Sequence, residues 1–206
     1  MKLDFIKPPK IGRLFYKDLI FKIPEKENRV YLTFDDGPNP ETTPFILETL
    51  KQHNAKATFF CLGKNVEAYP ALFQQIINEG HGIGNHGYNH LNGWQTETKA
   101  YIEDLKKASE VINSNLFRPP YGKIKVSQIK ELKERFKIII WDVSAQDYRM
   151  DISAESVKKN ILENTTTGSI IVMHDSLKAK ANIKAILSHT LKKLGENFVM
   201  DSPIKL

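Results

Sequence analysis

The sequence predicts an α/β protein built on a parallel sheet of about seven strands. Strand-like and helix-like segments alternate along the chain, and several of the strand-like segments, such as 137–142, are apolar on both faces. Such strands are typical of parallel sheets that helices cover on both sides. The 206 residues, 41% of them hydrophobic, match a single globular domain. An open doubly wound sheet and a closed barrel both fit this pattern, but no G-x-G-x-x-G motif follows the first strand, which argues against a dinucleotide-binding sheet.

The first half of the chain predicts an N-terminal extension, followed by three strands and two helices. Residues 1–28, rich in Pro and Lys, are expected to pack irregularly on the main domain at 29–206. β-branched and aromatic residues favour the strands, and Ile46 and Leu50 share one helical face. The predicted elements are a strand over 30–35, a helix that Thr43 caps and Pro44 begins, a strand over 57–62, a helix over 66–79 interrupted at Pro70, and a short strand over 81–86.

The second half continues the same alternation. Tyr101, Leu105 and Ala108 recur at helical spacing, and two prolines end the short strand that follows. The predicted elements are a helix over 96–113, a strand over 116–118, a helix over 126–136, a strand over 137–142, a helix from the cap Ser153 to 164, a strand over 169–173, a helix over 181–194 and a closing strand over 198–200.

Composition excludes several classes of function. The net charge is +6, but no basic run interleaved with aromatic residues predicts nucleic-acid binding. The single cysteine, Cys61, excludes an intramolecular disulfide and a multi-cysteine zinc site. No segment has the length of a transmembrane helix. The N-terminus has no recognisable export signal, which predicts a cytoplasmic location, or the cell envelope if the sequence has been trimmed at its start.

Polar side chains that can do chemistry cluster where the predicted strands end. Asp35 and Asp36 end one strand, and the others follow later strands. Because the carboxyl ends of parallel strands form one face, this distribution predicts a ligand site there. The later residues are His86, His90, Arg118, Asp142, Asp147, His174 and Asp175.

The aspartate pair and the histidine pair predict a metal site. Adjacent buried carboxylates repel unless a cation or an arginine lies between them, and in a straight strand Asp35 and Asp36 would point to opposite sides. A turn at Gly37-Pro38 can bring the second carboxylate back. His86 and His90, four residues apart, can then complete a set of two imidazoles and one carboxylate. This set matches catalytic zinc with an open position, and Co²⁺ or Ni²⁺ also fits.

The order of these motifs resembles that of the polysaccharide deacetylases of carbohydrate esterase family 4, the NodB homology domain, over roughly residues 29–200. The segment 33–37, Thr-Phe-Asp-Asp-Gly, is similar to the first motif. The resemblance implies that Asp35 is the general base and that Asp36, His86 and His90 bind the metal. It also implies a distorted (β/α) barrel and makes 29–206 the catalytic domain.

The remaining motifs imply the other catalytic roles. Arg118-Pro119-Pro120-Tyr121 is similar to the third motif, in which the arginine pairs with the base and the backbone N–H of the tyrosine helps to bind the oxyanion. Asp147 matches the residue that orients the catalytic histidine, and His174 matches the general acid. The residues that the resemblance places against substrate are Pro120, Tyr121 and Tyr148.

Three positions depart from the family pattern. Gly87 stands where the second motif has Ser or Thr, so a hydroxyl that braces the loop is missing. Tyr148 replaces a tryptophan that lines the acetyl pocket, which leaves the shape of that pocket open. Val172 replaces a leucine, a small apolar change. No residue with an implied metal, acid or base role is lost.

The resemblance implies metal-dependent hydrolysis of N-acetyl groups on an amino-sugar polymer or oligosaccharide, with release of acetate. One alternative is a deacylase or deformylase of a lipid-linked or small amide that uses the same residues. Another is a non-catalytic glycan-binding module that keeps the metal, and a third is a plain α/β domain. The sequence names neither the glycan nor the oligomeric state.

Overall fold

The structure, a computed structural model, describes residues 6–8, 17–201 and 203–204. Within these residues, eight parallel strands form one sheet in the order β1-β6-β5-β4-β3-β2-β8-β7. The strands are β1 (Leu19–Ile20), β2 (Tyr31–Asp35), β3 (Ala57–Cys61), β4 (Gly82–Asn85), β5 (Leu116–Phe117), β6 (Lys137–Ile139), β7 (Val143–Ser144) and β8 (Ile170–His174).

Seven α-helices connect or follow these strands in the described part of the chain. They are α1 (Thr43–Gln52), α2 (Gly63–Ala68), α3 (Pro70–Asn78), α4 (Thr98–Ser109), α5 (Val126–Leu132), α6 (Ala154–Leu162) and α7 (Lys180–Gly195), and a 3₁₀ turn spans Pro120–Gly122. None of the helices among the described residues combines the length and apolar character that crossing a membrane requires.

The sheet must curl, because β6 and β7 are close in sequence but far apart in strand order. Six strand intervals separate them, which in a flat sheet would be about 29 Å at about 4.8 Å per interval. Only residues 140–142 connect Ile139 to Val143, and four Cα–Cα steps reach at most about 15 Å. The connection therefore fits only a curled sheet, which is the distorted barrel that the family resemblance predicted.

Alternation along β2 gives its side chains two different surroundings. Leu32 and Phe34 pack outward in the apolar cluster that also contains Leu187 of α7. Tyr31 points the other way and packs with Phe60 of β3 in a separate cluster inside the curl. Because side chains alternate, Asp35 is on the same inner face as Tyr31, at the carboxyl end of the strand.

The prediction for the start of α1 was wrong. Thr42, not Thr43, is the N-cap residue, and its side chain makes no capping hydrogen bond. The Thr43 hydroxyl instead accepts a hydrogen bond from the Asn39 N–H at 2.8 Å and donates one to Asp175 Oδ2 at 2.7 Å. A tertiary partner has therefore replaced the local cap that the sequence pattern favoured.

Other boundaries differ where packing overrides local pattern. The extension at 1–28 contains β1, which pairs with β6; residues 1–5 and 9–16 lie outside the described residues. The segment 66–79 forms two helices, separated at Tyr69 before Pro70, as the proline predicted. The predicted strand at 198–200 is reduced to a single parallel bridge between Arg29 and Val199.

Candidate active site

Asp35 and Arg118 form a buried ion pair at the carboxyl end of the sheet. Arg118 directly follows β5 and is completely buried, and Asp35 is 2% exposed. The Arg118 guanidinium donates from Nη1 to Asp35 Oδ1 at 2.6 Å and to the Thr33 hydroxyl at 2.7 Å. This pairing holds one carboxylate oxygen and leaves Asp35 Oδ2 facing His86 Nε2 at 4.0 Å.

The other nitrogens of the Arg118 guanidinium also have hydrogen-bond acceptors, and its face contacts an aromatic ring. It donates from Nη2 to the carbonyl of Ile140 at 3.1 Å and from Nε to that of Ile139 at 3.4 Å. Its central carbon lies 4.1 Å from the centre of the Phe60 ring. Burial lowers the pKa of Arg118, and the Asp35 carboxylate opposes that shift. A side chain with so many fixed contacts orients Asp35 rigidly.

Asp36 leaves the strand and points its carboxylate to the histidines. Its φ of 83° is in the left-handed region, so the chain already turns at Asp36, directly before the cis Gly37-Pro38 bond. Asp36 Oδ1 lies 3.2 Å from His90 Nε2 and 3.6 Å from His86 Nε2. Burial alone would raise the pKa of Asp36, but the neighbouring histidines, His90 foremost, hold it below its usual range.

The tautomer of His86 leaves Nε2 available to bind a metal. Its Nδ1 lies 2.8 Å from the carbonyl of Arg118, which can only accept, so Nδ1 carries the proton. Burial lowers the pKa of His86 to about 4, so the ring is neutral at pH 7. An imidazole that donates its other N–H to a backbone carbonyl is typical of metal-binding histidines.

The donor set of Asp36, His86 and His90 fits a divalent transition metal. One ligand atom from each residue lies within 4.8 Å of the other two. Asp36 Oδ1 is shielded from solvent and accepts no hydrogen bond of good geometry from the described residues. A carboxylate oxygen and imidazole lone pairs that face one another in this way require a cation or a proton between them. Two imidazoles and a carboxylate are ligands of this class of metal.

Asp104 of α4 braces the loop between the two histidines. Its carboxylate accepts the backbone N–H groups of Tyr88 at 2.8 Å and Asn89 at 3.2 Å, and the Asn89 side-chain amide at 2.7 Å. Gly87, whose φ is 79°, lies so close to Asp104 that a Cβ would come within 3.0 Å of Oδ2. Asp104, a residue that sequence reasoning missed, therefore braces the loop in which Gly87 supplies no hydroxyl.

His174 and Asp147 form a second oriented pair, on the other side of Asp35. Asp147 is completely buried and accepts from the His174 backbone N–H at 2.7 Å, while its Oδ1 lies 2.8 Å from Nδ1 of the same residue. Burial alone would lower the pKa of His174, but the charge and hydrogen bond of Asp147 raise it to about 10. Asn182 of α7 donates to the Asp147 carbonyl at 2.9 Å and so helps to fix this loop.

The residues predicted to contact substrate lie around the two pairs. Tyr121, with φ 61°, is more than half exposed, and its ring centre lies 4.5 Å from that of His90. Pro120, which begins the 3₁₀ turn that contains Tyr121, is buried. The Tyr148 ring packs edge-to-face with His174 at 5.0 Å between ring centres. The structure thus places Tyr121 beside the Asp36–His86–His90 cluster and Tyr148 beside the His174–Asp147 pair, and the contacts of these residues and of Pro120 with substrate stay a prediction.

Two acidic residues at strand ends have structural neighbours instead. Asp142 accepts the Ser169 hydroxyl at 3.0 Å and the Ile170 N–H at 2.8 Å, so it ties the link after β6 to the start of β8. Asp175 accepts from Thr43 and packs so closely on Gly37 that a Cβ there would lie 1.9 Å from its Oδ2. Burial raises the pKa of Asp175 to about 7.

Comparison with known proteins shows which family this sequence matches. The family model for polysaccharide deacetylases matches residues 22–135. The chain is 40% identical over 190 residues to a peptidoglycan-N-acetylglucosamine deacetylase of Bacillus cereus, covering 87% of this chain and 69% of that protein. It is 34% identical over 162 residues to a chitooligosaccharide deacetylase of Azorhizobium caulinodans, covering 75% of this chain and 77% of that protein.

A solved structure shares the whole architecture. The Bc1960 peptidoglycan N-acetylglucosamine deacetylase, crystallised with a hydroxamate-type benzamide ligand, superimposes with a TM-score of 0.80 at 37% sequence identity. The similarity covers 93% of this chain and 94% of that one. The curled parallel sheet is therefore shared across nearly the full length of both proteins.

Proposed function

Since this chain belongs to the polysaccharide deacetylase family, we propose that it hydrolyses N-acetyl groups on an amino-sugar polymer or oligosaccharide and releases acetate. Relatives named as deacetylases of peptidoglycan and of chitooligosaccharide support this reaction. The observation that carries the proposal is that the Asp35–Arg118 and His174–Asp147 pairs lie beside the Asp36–His86–His90 cluster, since Asp35 Oδ2 is 4.0 Å from His86 Nε2 and Asp35 is in register with His174 on the neighbouring strand. A base, an acid and a metal site are the parts that hydrolysis of an amide requires.

The metal site is proposed to hold one Zn²⁺ ion, and Co²⁺ or Ni²⁺ would suit the same donors. When bound by Asp36, His86 and His90, the ion would supply Lewis-acid polarisation of the acetyl oxygen and a water of lowered pKa. Asp35 does not need to bind the ion, because Arg118 already holds one of its oxygens. Its second oxygen then remains to accept a proton.

Proton transfer is divided between Asp35 and His174. Asp35 takes a proton from the attacking water, and the new C–O bond forms at the acetyl carbon. The backbone N–H of Tyr121 donates to the oxyanion, a contribution of about 3–4 kcal/mol for one such donor in a known enzyme. His174, which Asp147 keeps protonated, gives a proton to the nitrogen as the C–N bond breaks, so that a neutral amine leaves.

Acetate release from N-acetylglucosamine oligomers and from peptidoglycan tests the proposal. Asp35→Asn should lower kcat about 10²- to 10⁴-fold, the usual contribution of a general base, and should still bind one Zn²⁺. Asp151→Asn, which changes an exposed aspartate paired with Arg149, is the matched control and should keep full activity.

Two results would overturn the proposal. Metal-loaded wild type that binds these glycans without releasing acetate would favour the glycan-binding module. Release of formate or a longer acyl group from small amides, with no activity on glycans, would favour the deacylase.

A further inference from the structure

We propose that Trp94, Tyr121 and Lys123 form a second sugar site, which binds a carboxylate-bearing sugar next to the one that is deacetylated. We call these three residues the aromatic platform. The inference rests on the proposed function, because it assigns a neighbouring sugar of the same glycan strand. It adds a preference for acidic strands over neutral ones.

The platform presents large aromatic surfaces to solvent. Trp94 is 58% exposed and Tyr121 is 57% exposed, although tryptophan is highly buried on average in globular proteins. Exposed aromatic surface beside a functional site is typical of ligand-binding surfaces. An aromatic face can also cover the apolar face of a sugar ring while the sugar hydroxyls stay in water.

The exposed indole is fixed in position. Its Nε1–H donates to the Ile124 carbonyl at 3.2 Å, and the Trp94 backbone N–H donates to the Asn92 side chain at 3.1 Å. Two hydrogen bonds on one residue restrain both backbone and ring. A ring held in this way loses little conformational freedom when a ligand binds, which favours affinity.

The two loops that carry the platform are joined to each other. Gly93 approaches the Lys123 carbonyl so closely that a Cβ would lie 2.3 Å from it. Gln128 of α5 donates to the Gly93 carbonyl at 3.0 Å, and Lys125 donates to the Thr96 carbonyl at 2.8 Å. The platform is therefore one preformed surface made of two loops.

The platform is continuous with the Asp36–His86–His90 cluster. The Tyr121 ring contacts the His90 ring, and Lys123 Nζ lies 5.9 Å from the centre of the Tyr121 ring and 5.4 Å from that of Trp94. Contacts thus lead from His90 through Tyr121 and Lys123 to Trp94. A glycan strand whose reacting sugar lies at the Asp36–His86–His90 cluster can place its next sugars on the aromatic platform.

The positive charge of Lys123 favours a ligand that carries a carboxylate. The Lys123 ammonium lies within cation–π range of both rings and forms no ion pair with any described residue. A carboxylate carried by the bound sugar, either on the ring substituent or on an attached peptide, would supply the missing partner. The chain's net charge of +6 adds a general attraction for acidic glycans.

Kinetics on substrates of different length and charge test the platform. The variants are Trp94→Ala, Trp94→Phe and Lys123→Gln, with Lys99→Gln on the exposed side of α4 as the charge control. Substrates are short and long neutral N-acetylglucosamine oligomers, and peptidoglycan fragments with and without the peptide. Trp94→Ala should raise KM for long substrates about tenfold, as expected for one lost aromatic contact, without changing kcat or KM for the shortest substrate.

The remaining variants separate stacking from charge. Trp94→Phe should recover most of the affinity, because it keeps an aromatic face. Lys123→Gln should remove any preference for fragments that carry a carboxylate, and comparing fragments with and without peptide tells which carboxylate it binds. Unchanged KM for long substrates in Trp94→Ala, or unchanged charge preference in Lys123→Gln, would overturn the inference.

A failure of the platform differs from a failure of the proposed function. If wild type releases acetate but Trp94→Ala behaves identically on all lengths, the platform is wrong and the deacetylase stands. If wild type releases no acetate, calorimetric binding of long acidic oligomers to wild type and Trp94→Ala still tests the platform. Equal affinities there would overturn it, and a roughly tenfold loss would support it.

Discussion

Replacing Asp147 by Asn should move the alkaline limb of the pH–rate profile to lower pH. Asp147 is completely buried and bonds to both the imidazole and the backbone N–H of His174. Its negative charge is the main reason that the pKa of His174 is raised from 6.5 to about 10. A raised pKa would keep His174, the proposed general acid, protonated, so activity should persist up to that pKa and fall above it.

The size of the shift follows from the distance between the two groups. Opposite charges about 4 Å apart interact by about 4 kcal/mol at an effective dielectric constant of 20, which corresponds to about 3 pKa units. Loss of the Asp147 charge should therefore lower the alkaline limb by about 2–3 units. A bound metal ion lowers the pKa of His174 in both proteins, so the difference between them is the quantity to measure.

An asparagine at position 147 would also offer only one oxygen acceptor, whereas both carboxylate oxygens of Asp147 accept hydrogen bonds from His174. Whichever way its amide is oriented, either the His174 N–H or the imidazole Nδ1–H faces an NH₂ group. One unsatisfied buried donor costs about 1–3 kcal/mol of stability, so the variant should also unfold at lower temperature.

The assay is kcat/KM for acetate release across pH at saturating Zn²⁺, for wild type, Asp147→Asn and Asp151→Asn. The last variant removes an exposed carboxylate and should reproduce the wild-type profile. An alkaline limb that stays within about 0.3 units of wild type in Asp147→Asn would contradict the assignment of His174 as the acid that this residue controls.

Three further changes test other parts of the structure. Arg118→Met leaves Asp35 buried without its cation, so it should abolish turnover and lower the free energy of unfolding by about 3–5 kcal/mol in urea titrations; an active, equally stable variant would contradict the pairing. Asp104→Ala should weaken Zn²⁺ binding about 10- to 100-fold in competition with a chelator, while the neighbouring Glu103→Ala should not. His81 accepts the Ala57 N–H through Nδ1, and burial lowers the pKa of His81 to about 4. The unfolded chain therefore binds an extra proton between pH 6.5 and 4, so the free energy of unfolding should fall as the pH drops through this range. His81→Asn should flatten that fall in thermal melts, and an unchanged slope would refute this role of His81.

The sequence could predict the site because parallel strands collect their carboxyl ends at one face. Asp35 and Arg118 are far apart in the chain, yet each ends a strand, and the sheet brings them to 2.6 Å. The different neighbours of Asp35 and Asp36 were also predictable, because adjacent carboxylates need separate partners. A position at a strand end is not sufficient by itself, since the Asp142 carboxylate turns to the start of β8 rather than to the site.

Other features had no signal in the sequence. Asp104 is one polar residue on an amphipathic helix, and only the folded loop shows that it receives the N–H groups of Tyr88 and Asn89. β1 has two residues in a Pro- and Lys-rich extension, too short for any periodicity. The segment 137–142 was predicted as one strand because Ile140, in the link that leaves β6, is buried as well, and hydrophobicity does not distinguish a buried link from a strand.

The contacts of Arg118 make the curvature of the sheet a condition for the pairing of Asp35 with its cation. Its guanidinium joins Thr33 and Asp35 of β2 to the carbonyls at the end of β6, across the inside of the curl. A chain whose sheet is still flat holds these groups apart and leaves Asp35 without its cation. We therefore expect Asp35, the proposed general base, to gain its cation only when the sheet closes, so that activity reports the completed fold and no half-closed form of the protein hydrolyses its substrate.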